Sequence, residues 1–384
     1  MRMSSAWRPR RSPALVLTVV ALGCAPRGPV VVEAAQSLLG TGDPDSHGPA
    51  TGNASHGARR GVASVCPEAI DLWLHGFDAQ GDSTLVPYFR PGYRETMNQT
   101  RRARGITTAL DANRDRLASY LAANPRLVAA QFIPLYFETW DAMRQGFDLF
   151  IRANGNSRYG RDAYASRVIA TFAASFPSAA DRQWAETFVQ ALDDERVRFY
   201  RDYWIAETRA REGARTVFEQ QWQDRYRPRL RPFFVNAQQD DGDVLLALPL
   251  GGEGRTVSVG RRENYIAVPF PDDESHAAEP IFVLLHELAG PPANLAVHDH
   301  TTPAEQRDGT SDRYASLGAV RGGAIILQRI APDVVGAYQR YYLTVARVRV
   351  PEGDPGPAFE RTFALSPAVA DAIGRQIDII LGGI

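Results

Sequence analysis

The chain has 384 residues, 44% of them hydrophobic and 23% charged, which is long enough for two hydrophobic cores and too apolar for an intrinsically disordered chain. All 43 basic side chains are arginine, so every chemistry that needs a lysine is excluded: Schiff bases, phosphate-loop lysines and kinase-type lysines. A formal net charge of −1 gives no reason to expect nucleic-acid binding.

At the N-terminus, Arg2, Arg8, Arg10 and Arg11 precede an apolar run from Pro13 to Gly23. This pattern predicts an export signal over residues 1–23, too short to cross a membrane, which takes roughly 20 apolar residues. Ala21-Leu22-Gly23-Cys24 resembles a bacterial lipoprotein cleavage box, in which the cysteine carries lipid once the leader is removed. Ala21 stands where such boxes usually have Leu, and a plain signal peptide is the alternative. Loss of the leader takes four of the 43 arginines and no acid, leaving 39 basic against 44 acidic residues. Residues 24–63 are rich in Gly, Pro, Ala, Ser and Asp, the composition of a flexible tether in which His47 and His56 are solvated bystanders. The expected location is the periplasm or cell surface, with a membrane contact through the lipid on Cys24. Lipidation there leaves Cys66 without a partner, so no disulfide framework is expected.

Residues 64–230 read as a helical domain. Helical spacing covers Ala109 to Ala122, Phe132 to Phe150, Ala163 to Phe176, Ala179 to Leu192 and Glu195 to Trp222. Trp184, Phe199, Tyr200, Tyr203, Trp204 and Trp222 fall at helical spacing and read as core rather than as a ligand cage. Asp193, Asp194, Glu195 and Arg196 read as a solvated face.

Residues 231–384 read as an α+β domain, so the whole chain is predominantly helical α+β. Short β-type runs cover Asp243 to Pro249, Arg255 to Val259 and Asn264 to Val268, with Gly251-Gly252-Glu253-Gly254 as a hairpin loop in a small antiparallel sheet. A helix opens near Pro280 and stops at Gly290 before Pro291-Pro292. A loop then runs to Thr310, a helix capped by Ser311 or Asp312 ends near Ile330, another opens at Pro332 and ends near Val345, and a last one covers Pro367 to Leu381.

The helix over 280–290 carries the chemistry. Ile281, Leu284, Leu285 and Leu288 form one apolar face, and His286-Glu287 lie in its middle. In H-E-x-x-H, two histidines at i and i+4 share a helix face and bind zinc, while the Glu takes the proton of the metal-bound water. Short strands, a His-Glu helix, a loop and a second long helix together resemble the catalytic half of glutamate-type zincin metallopeptidases, over roughly residues 235–345. The resemblance implies His286 as a zinc ligand, Glu287 as general base and Glu305 as a candidate third ligand. The second ligand position falls on Gly290, which cannot bind metal. Four of the seven histidines, His276, His286, His298 and His300, lie between 276 and 300. A loop folding back from Gly290 would offer His298 or His300, with Asp299 or Glu305, to complete a set of three protein ligands and one open position.

That reading implies a zinc-dependent peptidase acting on a peptide or protein substrate. The competing reading is a non-catalytic envelope lipoprotein, either a zincin-shaped scaffold without metal or a partner-binding protein. The glycines of Arg321-Gly322-Gly323 imply close approach of the His-Glu helix, with Arg321 pairing with a carboxylate.

Overall fold

The structure is a computed structural model that describes residues 64–65, 67–78, 87–237, 239, 241–259 and 263–382. The expected leader (1–23), the tether (24–63), Cys24 and Cys66 lie outside the described residues. Within them the chain is predominantly helical α+β, as its patterning predicts.

The sheet is the frame on which the rest is placed. Strands β1 (Ser64–Val65), β2 (Asp241–Ala247), β3 (Arg255–Val259) and β4 (Glu263–Pro269) stand in the order β1-β2-β4-β3. β1 runs parallel to β2 and β2 parallel to β4; only β3 is antiparallel to its neighbour β4. The sheet is therefore mixed, not antiparallel as expected. β2 and β3 are not neighbours, so Gly251–Gly254 is not a hairpin loop. It is a crossover past the C-terminal end of β4, since Ala247 pairs with Pro269 and Arg255 with Ala267.

Residues 87–90 hold this crossover by backbone hydrogen bonds from Arg90 N to Pro249 O (2.8 Å), Gly251 N to Tyr88 O (2.9 Å) and Gly252 N to Pro87 O (3.0 Å). A Cβ on Gly251 would stand 2.6 Å from the Phe89 carbonyl oxygen, so this close approach requires glycine.

Between β1 and β2 come α1 (Glu68–Asp78), α2 (Tyr93–Ala103), α3 (Ala109–Ala123), a 3-10 stretch over Pro125–Tyr136, α4 (Trp140–Arg152) and α5 (Ala163–Ser175). The single helix expected over 132–150 is thus broken. Phe137 is extended at the break, and the preceding turns containing Pro125 and Pro134 are 3-10. α6 (Ala179–Glu195) continues through a π-helical turn at Arg196–Tyr200 into α7 (Arg201–Ala210); α8 (Glu212–Gln221) continues likewise through Trp222–Tyr226 into α9 (Arg227–Asn236). Trp184, Phe199, Tyr200, Tyr203 and Trp222 are buried, as their spacing predicts.

After the sheet come α10 (Glu279–His300), α11 (Pro303–Arg307), α12 (Thr310–Ile330), α13 (Val335–Val345), α14 (Gly356–Thr362) and α15 (Pro367–Gly382). α10 packs on β4 and, along its length, against α12.

The two halves interlock. β1, from the head of the helical half, pairs in the sheet of the second half, and one hydrophobic cluster runs from Ile70 to Ile377. Asp71 of α1 is fully buried, and its carboxylate accepts Leu248 N–H and Trp204 Nε1–H, each at 2.9 Å. Burial pushes this carboxyl well above the usual carboxylate range, against those two hydrogen bonds and the charges of Arg211 and Arg90.

Candidate functional site around His286 and Glu287

α10 does not stop at Gly290. It runs for 22 residues through Pro291 and Pro292 to His300. A proline inside a helix costs about 3 kcal/mol, so packing must outweigh local preference here. The buried stripe continues past the prolines through Ala293, Ala296 and Val297. These small residues meet glycines of α12: a Cβ on Gly318 would lie 3.2 Å from the Ala293 Cβ, and one on Gly322 would lie 2.8 Å from the Ala289 Cβ. The expected close approach of the His-Glu helix accounts for Gly322, while Gly323 faces the Tyr338 hydroxyl instead. Arg321 pairs with Glu360 (3.4 Å).

The continued helix determines where the candidate ligands go. His298 and His300 follow His286 by 12 and 14 residues on one helix, roughly 18 and 21 Å along its axis. Both are exposed, and the nearest acidic group to His298 is its neighbour Asp299, at 3.7 Å. No loop folds back to bring them to His286. Glu305 is also occupied elsewhere: as the third residue of α11 it closes a capping box, accepting Thr302 N–H and Oγ1–H at 2.8 Å each. Those two hydrogen bonds hold its carboxyl below the ordinary range. His276 sits on Asp273 (2.8 Å), which raises its pKa.

His286 is 3% exposed, with the Tyr342 ring edge-on at 5.8 Å. Burial lowers its pKa from the usual 6.5, against the charge of Glu287 and a hydrogen bond to the Gly252 carbonyl. The imidazole is therefore neutral at pH 7. Tyr342, fully buried, donates to the same Gly252 carbonyl (3.2 Å). His286 Nδ1 is buried and has no hydrogen-bond partner among the described residues. Glu287 is partly exposed, and both of its oxygens are engaged: Oε1 accepts Gly254 N–H (2.9 Å) and Oε2 accepts Thr256 Oγ1–H (2.7 Å). A Cβ on Gly254 would lie 2.7 Å from both the Ala267 carbonyl and Glu287 Cγ, so glycine is needed where the crossover passes beneath the carboxylate.

His286 and Glu287 thus face the same segment, one through the Gly252 carbonyl and the other through the Gly254 amide. The described residues place neither His298 nor His300 beside His286. Of the expected ligands only His286 stands in the site, Gly290 adds nothing, and among the described residues no three His, Cys, Asp or Glu side chains are grouped to hold a metal.

A second polar cluster was not legible in the sequence. Glu195, expected on a solvated face, is fully buried. Its carboxylate accepts from Arg101 Nη1 (3.1 Å to each oxygen), bonds His75 Nε2 (3.1 Å) and accepts from the Thr108 hydroxyl. His75 stacks on Tyr200 with ring centroids 4.6 Å apart, and the Tyr200 hydroxyl bonds that of Tyr93 (3.1 Å). Burial alone would raise the Glu195 carboxyl, but the hydrogen bond and charge of His75, the charge of Arg101 and the Thr108 hydroxyl together hold it below the ordinary range. The π-helical turn follows Glu195 directly, and such turns often mark functional sites. Of its members only His75 stands out locally, as a polar residue in the largely apolar run from Ile70 to Phe77.

Neither a protein-family model, nor a curated protein, nor a solved structure matches this chain.

Proposed function

We propose that the chain is an exported envelope protein, held at a membrane by lipid on Cys24, whose folded part acts by binding rather than by catalysis. In this reading His286 and Glu287 are a clamp that fixes the Gly251–Gly254 crossover to α10. The observation that carries it is the engagement of both Glu287 oxygens by Gly254 and Thr256, which ties the carboxylate to the crossover rather than to a water. A general base needs an oxygen within hydrogen-bond reach of the proton it removes. The test has two arms. The N-terminal peptide of membrane-extracted protein should carry the mass of a lipid on Cys24. The full chain, with or without added zinc, should leave a mixed peptide library intact.

One observation favours a zinc peptidase as the second reading. Glu287 is partly exposed, and a Cβ on Gly290 would meet nothing within 4 Å, so the face that would carry a second ligand is open. Zinc-dependent cleavage of the library, abolished by Glu287→Gln, would establish that reading in place of ours.

A further inference from the structure

The turn between α4 and α5, residues 153–162, is tightly built yet presents side chains that the fold does not use. Asn154 and Gly155 take positive φ (50° and 75°) as α4 ends, and Gly155 N–H returns to the Phe150 carbonyl (3.0 Å). Asn156 caps the short 3-10 turn at Ser157–Tyr159 through Arg158 N–H (3.1 Å), and Asp162 caps α5 through Ala165 N–H (2.7 Å). A Cβ on Gly160 would lie 2.5 Å from Ser166 N, so the turn is packed against the first turns of α5. On this frame Tyr159 is 71% exposed and Tyr164 58%.

Arg152, Arg158, Arg161 and Arg167 are exposed on the same segment, and none has a side-chain partner among the described residues. Between residues 149 and 180 these four arginines face one acid, Asp162, a local charge of about +3 in a chain whose total is −1.

We infer that this turn is a docking surface for an anionic phospholipid membrane. The inference rests on the envelope reading given above. Tyrosine suits the level of the headgroups, where its ring is half-solvated and its hydroxyl is wet. Each arginine near a negatively charged bilayer is attracted to it, and the attraction is screened by salt. A single acyl chain gives only marginal anchoring, and a basic patch is the kind of second signal that makes it stable. Holding the two tyrosines on a rigid turn removes the ordering cost of placing them.

The test uses the full chain with Cys24→Ala, so that no lipid is attached, and sedimentation with vesicles of phosphatidylcholine alone or mixed with phosphatidylglycerol. Binding is expected only to the anionic vesicles, weakening as salt rises. Arg158→Gln with Arg161→Gln should lower the partition about 30-fold, at about fivefold per arginine. Tyr159→Ser with Tyr164→Ser should weaken what binding persists at high salt. All four positions are exposed, and unchanged melting of the variants verifies that they fold. Equal binding to neutral vesicles, or anionic binding untouched by these substitutions, overturns the proposal. Binding to an acidic peptide with the vesicles ignored also overturns it and gives the turn to a protein partner. The mass of the Cys24 peptide is read separately, so failure of the docking surface and failure of the envelope reading are distinguishable.

Discussion

Glu287 accepts the backbone N–H of Gly254 at 2.9 Å, across 33 residues of sequence, at a point where no side chain larger than hydrogen fits on residue 254. The pair joins the middle of α10 to the crossover that leads into edge strand β3, and Thr256 completes it from the strand itself. A carboxylate used in this way is part of the fold. Glu287→Ala should lower stability by about 1 to 2 kcal/mol, since it leaves the Gly254 amide without its charged acceptor. Glu287→Gln, which keeps an acceptor for one donor, should cost less. Urea midpoints of the two variants check the order.

A steric prediction concerns α12 and α13. A Cβ on Gly323 would lie 2.2 Å from the hydroxyl of Tyr338, which is fully buried and donates to the Val320 carbonyl at 2.8 Å. Gly323→Ala should therefore destabilise by about 1 to 3 kcal/mol. Adding Tyr338→Phe should restore part of that loss, giving a non-additive double-mutant cycle in denaturant unfolding. Additive losses would mean that the two residues do not collide.

Two buried groups should make stability depend on pH, each in its own window. His286 has its pKa lowered by burial, so the unfolded chain takes up its proton more readily than the folded one. Its contribution is complete above the unfolded value of 6.5 and is lost as pH falls through the lower folded value. His286→Gln should flatten the stability profile in that mildly acidic range. Glu195 also has its pKa lowered, from 4.5, so its contribution is complete above 4.5 and fades at lower pH. A stability profile unchanged in His286→Gln, or in Glu195→Gln, would contradict the corresponding assignment.

The buried Arg101–Glu195 pair should also be costly to break. Glu195→Ala leaves the guanidinium of Arg101, 3% exposed, without its principal buried partner, and a loss of about 3 to 5 kcal/mol is expected. Replacing both by apolar residues should cost less than the single change. Thermal melting of the single and double variants separates the two outcomes.

Much of the fold was legible because it follows local periodicity. The three longer strands, the helices opening at Ala109, Ala163, Ala179 and Pro367, and the buried aromatics of α6 and α7 all lie where alternation or helical spacing puts them. What was not legible depends on long-range packing. Pro291-Pro292 is a strong stop locally, but Ala289 and Ala293 have glycine partners on α12 that reward continuing the helix. The parallel pairing of β2 with β4 puts the glycine run across a strand end rather than in a hairpin, and no adjacent residues signal that. Glu195 lies among charged neighbours, and only the distant Arg101, His75 and Thr108 make its burial tolerable. The His-Glu pair itself was readable, but its ligand set was not, because that set depended on a loop where the chain is helical.

The most direct measurement is the zinc content of the purified full chain, set beside that of His286→Ala and of His298→Ala with His300→Ala. The clamp account predicts far less than one zinc per chain in all three, with a lowered melting temperature in His286→Ala alone. About one zinc per parent chain, lost when His286 is replaced, would contradict it and make the His-Glu helix a metal site.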